Sequence, residues 1–118
     1  MVMRLLVRLS ALATMLGLLF LMLSPPVHLT GPENWSDKAA HVLGFFTIAL
    51  ALQVVPVWRN RLGAALLAVA MGALVEIVQG EIGRDRSALD LLADAIGAGL
   101  AWLASPRMTP LFDWLERR

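Results

Sequence analysis

Four apolar runs, at about 5–23, 39–55, 62–79 and 87–104, leave little choice of architecture. Run one has 19 residues, and at ~1.5 Å per residue it spans ~28 Å as a helix, close to the thickness of a bilayer's hydrocarbon core. Backbone polar groups in hydrocarbon must be satisfied internally, so runs of this length fold as helices. The sequence therefore predicts an all-α integral membrane bundle in a single domain over residues 1–118, with four transmembrane helices. Composition agrees. Hydrophobic residues make up 58% of the chain and the mean hydropathy is +0.72, well above a soluble domain.

The connectors carry the usual breakers. Pro25, Pro26, Gly31 and Pro32 deny a regular helix to residues 24–38. Trp35 there suits a membrane interface, and Asn34 or Ser36 can cap the second helix with Asp37 in its first turn. Pro56 ends the second run. Basic residues lead the first run, as in a signal peptide, but Leu23-Ser24-Pro25-Pro26 offers no small-x-small cleavage site, so an uncleaved helix is expected. After the fourth run, Thr109-Pro110 reads as a fresh helix start, and Leu111, Phe112, Trp114 and Leu115 suggest a short amphipathic C-terminal tail in the interface.

Basic residues orient such a bundle. Arg4, Arg8, Arg59, Arg61, Arg107, Arg117 and Arg118 fall on one side, and Lys38, Arg84 and Arg86 on the other. The larger group belongs in the cytoplasm, giving N-in, C-in. Net charge is +1, so no nucleic-acid footprint exists, and the absence of Cys excludes thiolate and disulfide chemistry.

Charge enters the apolar runs in one stretch, residues 76–97, EIVQGEIGRDRSALDLLADAIG. Glu76 and Gln79 close the third run, Arg84 and Arg86 lie in the connector, and Asp90 and Asp94 open the fourth. Ionisable groups inside spans are expensive and normally face the bundle interior. Ala64, Ala68, Gly72 and Glu76 repeat at spacing four, while Asp90, Asp94, Gly97 and Ala101 share another face. Small residues at this spacing let helices approach closely, so the two stripes are expected to meet as an αα-hairpin of helices three and four. With N-in topology, Asp37, Lys38 and His41 reach the same outer level.

Blander roles compete for each residue. Ser87-x-x-Asp90 matches a capping box, and Asp37 suits a helix dipole. His41 fits an interface, and Arg84 paired with Glu76 or Asp94 is a plain structural ion pair. One His among carboxylates has no recognised metal-ligand spacing, so neither a metal nor a cofactor is expected. No elbow motif surrounds Ser87 to make it a nucleophile.

Asp37-Lys38-x-x-His41, Glu76-x-x-Gln79 and Arg84-x-x-Ser87-x-x-Asp90, with Gly97 seven residues later, resemble the VanZ-like family of small bacterial membrane proteins over about residues 37–101. Asp94 stands where that family usually has Asn, adding an acid, and Phe45 where it often has Tyr, removing a hydroxyl. The family takes its name from a member linked to resistance to the glycopeptide teicoplanin. The resemblance implies a multi-pass protein of the bacterial inner membrane working at the cell envelope, and it supplies no reaction. The expected ligand-binding set is Asp37, Lys38, His41, Glu76, Gln79, Arg84, Asp90 and Asp94. Its expected partner, beside the bilayer, is an anionic lipid headgroup or lipid-linked cell-wall precursor. An intramembrane enzyme acting on a lipid-linked phosphate, with His41, Glu76 and Asp90 as catalytic candidates, remains open. So does an assembly protein whose polar cluster is interhelical glue.

Overall fold

A computed structural model describes residues 1–24, 35–55, 60–82 and 88–117; the side chains of residues 35–37, 115 and 116 are outside this description. Among the described residues every regular element is helical: α1 (Val2–Leu23), α2 (Trp35–Val54), α3 (Arg61–Glu81) and α4 (Ala88–Arg117). The bundle measures 44 × 25 × 25 Å. Three helices are long and apolar enough to cross a membrane: α1, α3 and Ala88–Trp114 of α4. The apolar part of α2, Lys38–Val54, is shorter.

Helix α2 is the centre of the packing, pressed most extensively against α4. Phe45, Ile48, Ala49 and Leu52 of α2, Ala64 and Ala68 of α3, and Ala98 and Ala101 of α4 form the core. The α3 and α4 contributions are nearly all alanine, which brings backbones together where a bilayer gives no hydrophobic drive for association. Gly97 is the closest point. A Cβ there would collide with the Val42 carbonyl oxygen and lie 2.9 Å from the Phe46 amide nitrogen. Gly97 therefore seats α4 on α2, not on α3 as the stripe pattern suggested. The periodicity placed Gly97 on the acid-bearing face but was silent on which neighbour that face meets.

Helix α1 is peripheral. Met15 is its one buried residue among those described, and Leu5, Leu9, Leu16 and Phe20 face outward. Its C-terminal end is tied down, with Gln79 Nε2 of α3 donating to the Met22 carbonyl oxygen at 2.7 Å. The Met22 side chain fills the space left by Gly44 of α2. At the start of α3, the Asn60 side chain accepts from the Leu62 amide at 2.9 Å, an N-cap worth about 1 kcal/mol.

The expected separate C-terminal tail is corrected. Helix α4 runs 30 residues without interruption through Pro106 and Pro110. Proline lacks the N–H that would reach the carbonyl four residues back, which normally breaks a helix. Here the Trp102 carbonyl, deprived by Pro106, accepts instead from Arg61 Nη1 at 3.3 Å. Ser105 and Thr109 add hydroxyl bonds to the carbonyls of Ala101 (2.5 Å) and Ser105 (3.1 Å). Gln53 Nε2 of α2 donates to Ser105 Oγ at 2.8 Å, holding this half of α4 to the bundle.

Candidate functional site

At the opposite end of α4, three helices bring five ionisable side chains together. Lys38 and His41 lie one turn apart on α2, Glu76 lies near the end of α3, and Asp90 and Asp94 lie one turn apart at the start of α4. Asp94 is six residues into α4, about 9 Å along the axis. The helical registers make the arrangement: spacings of three on α2 and four on α4 each hold two groups on one face.

His41 is the hub. Its Nδ1 lies 2.7 Å from Asp94 Oδ1, and its Nε2 lies 3.9 Å from Asp90 Oδ2. The short contact to Asp94 fixes the orientation of the ring, with the proton shared out according to the tautomer. The imidazole also stacks near-parallel to Phe45 one turn on, with centroids 6.5 Å apart at 13°. His41 is 3% exposed and Asp94 fully buried. Asp90 Oδ1 pairs with Lys38 Nζ. The Lys38 side chain is 21% exposed, so it forms the outer layer over the His41–Asp94 pair.

Glu76 closes the third side and is buried. One donor atom from each of His41, Glu76 and Asp94 falls within 4.8 Å of the other two. This convergence was not legible beforehand. Loop lengths give no distance between α2 and α3, and the spacing matched no metal motif. Gly72 is the residue that sequence reasoning left out of the site. A Cβ on it would lie 2.6 Å from Asp94 Oδ2, so the glycine makes room for that carboxylate. The available signal was its place one turn before Glu76.

Among the expected ligand set, Lys38, His41, Glu76, Asp90 and Asp94 are thus gathered. Gln79 is buried but spends its amide on α1, one turn away. Arg84, Arg86, Ser87 and the Asp37 side chain lie outside the described residues, and with them the capping-box and arginine-pair readings. Asp90 stands in the first turn of α4, where a carboxylate complements the helix dipole, and pairs with Lys38 as well.

Chemically, the cluster can hold a proton on a fixed imidazole, present a lysine at its mouth and offer carboxylate oxygens beneath. No protein-family model matches the chain, and neither does any curated protein or solved structure.

Proposed function

We propose that the chain is a four-span, N-in/C-in protein of the bacterial cell envelope, with α2 as the fourth span. In this reading it binds an anionic headgroup, of an envelope lipid or a lipid-linked cell-wall precursor, at the outer end of the bundle. The observation that carries it is the layering of the site. Lys38 is partly exposed and held on Asp90, directly over the buried His41–Asp94 pair. A cation fixed by a carboxylate loses little rotamer freedom when a phosphate arrives. Arg84 follows the end of α3 by three residues in the chain, and its fork suits phosphate. The likeness of residues 37–101 to the VanZ-like pattern supports the envelope setting.

The test is lipid mass spectrometry on the purified chain, wild type beside Lys38→Ala and Arg84→Ala. The expected result is an anionic lipid carried through purification by the wild type and reduced in both variants. Recovery of no anionic lipid by the wild type returns the cluster to the role of interhelical glue.

A second reading has its own support. An imidazole held at Nδ1 by one carboxylate, with a second carboxylate 3.9 Å from Nε2, is an arrangement a general base can use. Release of phosphate from a lipid-linked phosphate, abolished by His41→Gln, would favour it.

A further inference from the structure

We propose that His41, Glu76 and Asp94 form a binding site for a divalent first-row transition cation, with zinc or manganese as the class of ion. The site goes beyond the headgroup reading and does not depend on it.

Three observations carry the proposal. The first is the donor set. One imidazole nitrogen and two carboxylates come from three different helices, with one donor atom of each inside a 4.8 Å circle. Ligands on a tetrahedral zinc at ~2.1 Å stand about 3.4 Å apart, so modest side-chain rotation closes the set. The second is burial. Glu76 and Asp94 are 7% and 0% exposed, in helices long and apolar enough for a bilayer. Two carboxylates with an imidazole in apolar helices are a donor set whose charge suits a divalent ion. The third is lone-pair accounting. Both acids have partners, and Glu76 Oε1 and Asp94 Oδ2 are buried oxygens with no hydrogen bond among the described residues. These are the atoms a cation would engage, and Gly72 holds open the space beside Asp94 Oδ2.

The ion class follows from the donors. Calcium and magnesium take six or more oxygens, whereas imidazole with carboxylates suits zinc, manganese or iron. Three protein ligands leave a coordination position for water or an oxygen of a bound molecule. Asp90 lies beside His41 and Lys38 rather than in the triad, so it would act as a support and not as a ligand.

The experiment uses the full chain, purified in an uncharged maltoside detergent and stripped with chelator. Cobalt(II) is titrated as the optical probe, and zinc(II) is added in competition. The expected result is one cobalt per chain with visible ligand-field bands, displaced by zinc. Glu76→Gln should weaken binding ~10-fold or more, in line with the loss seen when groups around a metal are removed. Glu81→Gln removes an exposed carboxylate from the same end of α3 and should bind as wild type. If Glu76→Gln does not fold, Asp94→Asn takes its place. The wild-type stoichiometry stands independently of any variant. No saturable one-to-one binding overturns the site and leaves a shared proton as the account of the two acids. Equal losses in Glu76→Gln and Glu81→Gln overturn it as surface binding.

Discussion

Gly72 and Asp94 fit each other across the α3–α4 interface. The missing side chain of the first is the space that the second carboxylate occupies, and a Cβ would come within 2.6 Å of Oδ2. Asp94 cannot withdraw without giving up its 2.7 Å contact with His41. Gly72→Ala should therefore cost about 1–3 kcal/mol, the range for overpacking a tight interior. Leu74→Phe, on an exposed face of the same helix, should stay within about 0.5 kcal/mol. Thermal melting in detergent measures both, and equal tolerance would contradict the fit.

Gly97 and Gly99 form a matched pair with opposite expectations. A methyl on Gly97 meets backbone atoms of Val42 and Phe46, which cannot rotate away, whereas nothing lies within 4 Å of a Cβ on Gly99. Gly97→Ala should lower stability by about 3 kcal/mol, the upper end for overpacking. Gly99→Ala should be neutral or stabilising by up to about 1 kcal/mol, because alanine loses less freedom in a helix. Loss of folded protein in both variants, or in neither, would refute the α2–α4 contact.

Arg61 and Pro106 should be energetically coupled. Arg61→Ala strips the Trp102 carbonyl of its donor. Pro106→Ala restores an N–H that reaches the same carbonyl, so Arg61→Ala should cost about 1 kcal/mol less in that background. A double-mutant cycle by melting reads this directly. Strict additivity would mean that Arg61 does nothing for the proline.

The topology is open to labelling because the chain has no Cys. Single cysteines at positions 33 and 85 should react with an impermeant maleimide from outside. Position 59 should react only after the inner face is exposed. Asn60 is a poorer choice there, since its side chain caps α3. The reverse pattern would invert the proposed orientation.

The helices were legible in the sequence because apolar length dictates them, and Pro25 and Pro56 follow the ends of α1 and α2. But α2 begins at Trp35, inside the connector expected over residues 24–38, because Lys38 and the polar residues before it, which read as loop, form a first helical turn. The end of α4 was not. Thr109-Pro110 reads as a boundary, and the arginine that serves the carbonyl freed by the earlier Pro106 sits 41 residues before Trp102, beyond any local window. At the site, helical period put Asp90 with Asp94 and Lys38 with His41, and the stripe turned Glu76 inward. Which helix meets which was beyond periodicity. Gln79 shows the limit most plainly: its place beside Glu76 suggested a ligand, while its amide serves the backbone of α1.

Thirty residues of unbroken α4 measure about 45 Å, against about 30 Å of hydrocarbon in a bilayer. In a bilayer the excess would project past one surface or be absorbed by tilt. Asp90 and Asp94 ride on one end of this rod, and the surplus length, with Trp114 and Arg117, is at the other. In a bilayer, α4 could not lean alone: Gly97 is seated on the α2 backbone, Ser105 is bonded to Gln53 of α2 and the Trp102 carbonyl to Arg61 of α3, so the rod and its neighbours would tilt as one body.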